Sequence, residues 1–111
     1  VLLASFGSFV SFPFELDSSI DFQKLEDTVV KKNVRIIFLG SPGNPFGKIW
    51  TKNEINSLLG LSKRLSFYLI LDAVYKDLYF EEKPYIPLDQ FNPNLFYTNS
   101  FSKLFSITGW R

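Results

Sequence analysis

At 111 residues, 46% hydrophobic and 18% aromatic, the chain has the length and apolar content of one domain with a core, not of a disordered tail. Its 12 basic residues against 11 acidic ones leave a net charge of +1, which gives no reason to expect nucleic acid or an anionic membrane as a partner. The sequence contains neither cysteine nor histidine, which excludes disulfides, thiolate or imidazole metal sites and histidine bases; chemistry must come from Lys, Tyr, Ser, Asp, Glu or a bound cofactor.

The chain opens on Val1, not Met, so we expect it to have been processed or cut from something larger. The first run, VLLASFGSFVSFPF, is apolar over 14 residues, short of the roughly 20 that a membrane-spanning helix needs. It lacks the charged start of a signal peptide. It reads as a helix tail, a turn at Gly7 and a strand near Phe9 to Phe14. DFQKLEDTVVKK then places Phe22, Leu25 and Val29 at helical spacing and ends in lysines, which suit the negative end of a helix dipole.

VRIIFLG, from Val34 to Gly40, is a continuous apolar run of strand length, which predicts a strand buried on both faces. TKNEINSLLGLSKRL predicts a helix whose Thr51 and Glu54 form a capping box and whose Ile55, Leu58, Leu59 and Ser62 share a face. Gly60 weakens that helix by about 1 kcal/mol relative to alanine without breaking the pattern. FYLILDAVY, Phe67 to Tyr75, is a second strand with Asp72 at its end, and NLFYTNS, Asn94 to Ser100, is a third. EEKPYIPLDQFNPN between them reads as a loop with a surface turn or short helix. Strand, helix, strand alternation predicts an α/β fold with a mostly parallel sheet flanked by helices. In such sheets ligands bind outside the carboxyl ends of the strands.

Three strand ends therefore carry the candidate chemistry. The first is SPGNPFG, a stiff loop holding Asn44; the second brings Asp72 and Tyr75; the third brings Ser100, Ser102 and Lys103, then Gly109 and Arg111. Taken singly each residue is ordinary: a turn asparagine, a capping carboxylate, a packed aromatic, a solvated lysine. Together they differ, because Asn44, Asp72 and Lys103 lie 28 and 31 residues apart, close to the ~30 residues of a strand with its return crossover. Each then falls at the same edge of three successive parallel strands. Hydroxyls and a guanidinium suit a phosphate, and a desolvated lysine suits attack on a carbonyl.

The constellation resembles the class I/II aminotransferases, pyridoxal-phosphate enzymes of fold type I. NPFGKIWTKNE looks like the family's asparagine loop, LILDAVYKDLYF like the strand carrying the pyridine aspartate and its tyrosine, and SFSKLFSITGWR like the lysine segment. The resemblance covers nearly the whole chain, residues 1–111 matching the central part of the large cofactor-binding domain. It implies pyridoxal 5'-phosphate as cofactor and Lys103 as both the internal aldimine lysine and the base that moves a proton at the substrate Cα. It also implies Asp72 against the pyridine nitrogen, Tyr75 and Asn44 on the phenolic oxygen, and Ser100, Ser102 and Arg111 on the phosphate. Phe46 departs from the family, which usually has threonine there, and is expected to reshape the loop or pack over it.

The implied activity is transamination between an amino acid and a 2-oxo acid by a cytoplasmic homodimer, with no nucleic-acid or membrane partner. A glycine-rich phosphate loop, an aromatic stacking on the cofactor and a substrate-carboxylate arginine are expected outside these residues, so the 111 residues alone are expected not to transaminate. The same lysine and aspartate also suit a carbon–sulfur lyase, or a noncatalytic aminotransferase-like effector domain of a transcription regulator.

Overall fold

The computed structural model describes residues 7–12, 14–15, 19–89 and 91–110. In chain order these form α1 (Phe22–Lys32), β1 (Ile36–Gly40), α2 (Lys52–Leu65), β2 (Tyr68–Asp72), β3 (Leu95–Thr98) and a single turn, α3 (Phe101–Leu104). The three strands make one parallel sheet in the order β1-β2-β3. None of the helices among the described residues is long and apolar enough to cross a membrane.

Local chemistry sets the helix limits. Asp21 caps α1 by accepting the Lys24 backbone N–H at 3.0 Å, and Asn33 ends it in the left-handed region, which asparagine tolerates. α2 begins at the reciprocal capping box, with the Thr51 hydroxyl accepting the Glu54 N–H at 3.2 Å and Glu54 accepting the Thr51 N–H at 2.8 Å. Ile55, Leu58, Leu59 and Ser62 are buried as their spacing predicts, and Gly60 sits on the exposed side.

The sheet packs on one face. Leu69, Leu71 and Leu39 bury one set of alternating side chains against Ile55, Leu58, Leu59 and Leu61 of α2, with Leu25 and Val29 of α1 joining the same core. The other set, Ile36 and Phe38 of β1, Tyr68 of β2 and Phe96 of β3, stays 45–59% exposed. The expectation that the first strand is buried on both faces is therefore corrected: an apolar run fixes that a second cover is needed, but no element among the described residues provides it.

One further expectation changes. No strand forms among the described residues of the Phe9 to Phe14 run, because an apolar stretch becomes a strand only where a neighbouring ladder accepts it; the helix tail before Gly7 lies outside the described residues. The segment from Glu81 to Asn94 is the expected loop, with a turn and not a short helix among its described residues, since Pro84, Pro87 and Pro93 each remove a backbone donor and restrict the preceding residue. Asn92 anchors its end, accepting the Asn94 N–H at 2.9 Å.

Candidate functional site

The parallel register aligns the three strand ends. Gly40 pairs with Asp72 and Asp72 with Thr98, so the loops leaving β1, β2 and β3 start on one rung. Backbone bonds continue across it, from Ser41 N–H to the Asp72 carbonyl at 2.9 Å and from Ala73 N–H to the Thr98 carbonyl at 3.0 Å.

The first loop is stitched at its base. The buried Ser41 hydroxyl accepts the Trp50 N–H at 3.2 Å, the Trp50 indole donates to the Gly40 carbonyl at 3.1 Å, and Gly43 N–H donates to the Lys48 carbonyl at 2.8 Å. Gly40 permits this closure, since a Cβ there would lie 3.2 Å from the Gly43 Cα. Trp50 is buried, and the Lys48 ammonium sits 5.1 Å from its ring centroid while pairing with Glu54 at 2.7 Å. Phe46 is 85% exposed and so does not cover the loop. The bonds of Ser41 and Trp50 hold it instead.

From this loop the Asn44 amide donates to the Tyr75 hydroxyl at 3.4 Å. The Tyr75 ring in turn lies 5.8 Å from the Lys103 Nζ. Residues separated by 31 and 28 positions thus meet on one chain of contacts, amide to phenol to amine. Among the described residues Lys103 has no ion pair, whereas the neighbouring Lys76 is bound to Asp77 at 2.5 Å. That bond holds the Lys76 ammonium above the usual lysine range, so Lys76 is committed to its charged form. Lys103 is the lysine at this edge left with an aromatic neighbour in place of a carboxylate.

Asp72 ends β2 half-buried, and two donors share its Oδ1: the Val74 backbone N–H at 3.3 Å and the Thr98 hydroxyl at 3.2 Å. Neither bond uses Oδ2. A carboxylate steadied on one oxygen with the other left to receive a proton donor fits a protonated ring nitrogen. Ser100 begins the third loop as the cap of α3, its hydroxyl accepting the Ser102 N–H at 3.3 Å. Ser100, Ser102 and Lys103 therefore share one short turn beyond Thr98, and Arg111 lies outside the described residues.

Sequence reasoning missed Ser41, Trp50 and Thr98. Each acts through a partner distant in the chain. The available signal for Thr98 was a hydroxyl in an apolar strand at the position that parallel pairing sets opposite Asp72.

The model of the family described as aminotransferase class I and II matches residues 3–111. The chain belongs to that aminotransferase family. A probable aspartate aminotransferase of Methanocaldococcus jannaschii is 32% identical over 105 residues, covering 95% of this chain and 28% of the relative. Among solved structures, Pyrococcus protein-A1 is 28% identical with a TM-score of 0.79, over 92% of this chain and 27% of that one. The pyridoxal-phosphate-bound C-S lyase of Staphylococcus hominis is likewise 28% identical, with a TM-score of 0.71, over 81% of this chain and 24% of that one. The chain thus spans under a third of these relatives, and the α/β fold that it shares with the two solved structures covers 81% and 92% of its residues.

Proposed function

We propose that these residues are one part of the cofactor domain of a pyridoxal-phosphate-dependent aminotransferase that moves an amino group between an amino acid and a 2-oxo acid. The observation that carries the reading is the convergence of Asn44, Tyr75 and Lys103 beside Asp72 at one sheet edge, in a chain of this family. Lys103 would hold the cofactor covalently, Asp72 its ring nitrogen, Asn44 and Tyr75 its phenolic oxygen, and Ser100, Ser102 and Arg111 its phosphate. The chemistry that bound pyridoxal phosphate supplies is an electron sink for the bond broken at the substrate Cα.

The chain's own residues do the rest. Once the substrate's amine has displaced it from the cofactor, Lys103 Nζ would be free as an amine to accept and return the Cα proton, with the Tyr75 ring beside it. Asp72 keeps its partner nitrogen protonated through the oxygen not already bonded to Val74 and Thr98. The stitched first loop keeps the Asn44 amide at a fixed distance from Tyr75, so the two donors act as a pair. The relatives' greater length supports a site completed by residues outside these 111, and the setting proposed for it is a cytoplasmic homodimer.

The test is product analysis on the full-length protein supplied with pyridoxal phosphate. Transfer of a labelled amino group to a 2-oxo acid, lost in Lys103→Ala, is the expected result, and the 111 residues alone are expected to give none. The similarity to the S. hominis C-S lyase supports a second reading with the same residues. Release of ammonia and a thiol from a cysteine-type substrate, without amino transfer, would favour it over the first.

A further inference from the structure

Thr98 is where a side chain outside the proposed contact set touches that set. It stands opposite Asp72 in the parallel register, on the strand that leads into the Ser100 to Lys103 turn. Its hydroxyl donates to Asp72 Oδ1 at 3.2 Å, and its carbonyl accepts the Ala73 N–H at 3.0 Å. The side chain is exposed, so its hydroxyl has water as an alternative partner yet is directed at the carboxylate.

We propose that Thr98 is a positioning residue for the cofactor ring: it fixes the rotation of the Asp72 carboxylate so that Oδ2 faces the ring nitrogen. The inference rests on the cofactor reading given above. A carboxylate on a strand end turns about its terminal torsion with a broad, two-fold preference. One bond from Val74, two residues away, restrains an oxygen but not the plane. A second donor from the adjacent strand, on the same oxygen, defines the plane and leaves the other oxygen free. Thr98 also ties the segment holding Asp72 to the one holding Lys103, so the charge partner and the covalent anchor keep one spacing.

The experiment compares two probes on the full-length protein: pyridoxal 5'-phosphate, and the analogue in which carbon replaces the ring nitrogen. Thr98→Val keeps the shape and removes the donor. The expected loss of pyridoxal-phosphate affinity is about tenfold, the scale of a hydrogen bond to a charged group, with the carbon analogue unaffected. Thr98→Ser should restore the wild-type preference, and adding Thr98→Val to Asp72→Asn should cost nothing further.

Equal weakening of both probes would assign Thr98 a merely structural role, and no weakening of either would leave it without one; both overturn the proposal. Asp72→Asn separates the underlying reading. If that variant keeps the wild-type preference for the ring nitrogen, the cofactor assignment itself fails. If it loses the preference while Thr98→Val retains it, the Thr98 proposal alone fails.

Discussion

Tyr75 is the residue on which the candidate site turns, because it contacts both other strand-end groups: its hydroxyl takes the Asn44 amide and its ring faces the Lys103 amine. These two contacts use different parts of the side chain. Tyr75→Phe deletes the first and keeps the second. Because the hydroxyl is proposed to bond the cofactor's phenolic oxygen, the expected outcome is a moved pH midpoint in the absorbance of the bound cofactor. Folding stability, read by denaturant titration, should stay within about 0.5 kcal/mol, as for a residue outside the core. That Asn44, Asp72 and Lys103 fall at one sheet edge was legible because loop residues, a strand end and a lysine between serines recur at crossover spacing. Thr98 was not, since its partner lies 26 residues away and only the strand register brings them together.

At the scale of elements, α2 carries the fold. Its capping box closes the N-terminal turn just after the Asn44 loop, and the Glu54 that completes the box also binds Lys48 inside that loop at 2.7 Å. One carboxylate therefore serves both the helix and the loop. Thr51→Ala should cost about 1 kcal/mol, the usual worth of such a cap, measured as a shift in the denaturant midpoint. The fully buried Ile55 faces the sheet one turn on, and Ile55→Ala should cost about 2–5 kcal/mol by leaving a cavity.

The same element gives a pH dependence. Burial raises the Glu54 pKa, but the bonds from Lys48 and Thr51 together outweigh it, and the net shift is downward from 4.5. A depressed folded value means that the stabilisation is fully present above the unfolded value and is lost as the pH falls through the folded one. Thermal melts of the wild type should therefore lose stability below about pH 4.5, and Glu54→Gln should flatten that acid limb. α1 was legible from its apolar spacing and terminal lysines, and α2 from its capping box and apolar face. The strands were legible as runs and the stretch from Glu81 to Asn94 as a loop, although the open second face of the sheet was not, because it depends on what lies beside it.

Among the described residues the sheet is covered on one face. Ile36, Phe38, Tyr68 and Phe96 form a contiguous apolar face that stays largely open while the opposite face holds the core. Tyr68 and Phe96 pack edge to face on it, with ring centroids 5.6 Å apart. An apolar surface of this kind binds hydrophobic dyes. The 111-residue chain should enhance the fluorescence of such a dye, and Phe38→Ser with Phe96→Ser should reduce the signal without loss of helix content. Unchanged dye binding in the double variant would show that the face is covered.

The proposed cofactor site lies elsewhere, at the edge where Asn44, Asp72, Tyr75 and Lys103 gather. It is tested most directly by incubating the full-length protein with pyridoxal 5'-phosphate, reducing with borohydride and mapping the modified peptide by mass spectrometry. The expected result is a pyridoxyl group on Lys103, with the accompanying visible-edge absorbance absent in Lys103→Ala. Labelling spread over exposed lysines, with Lys103 unmodified, would contradict it.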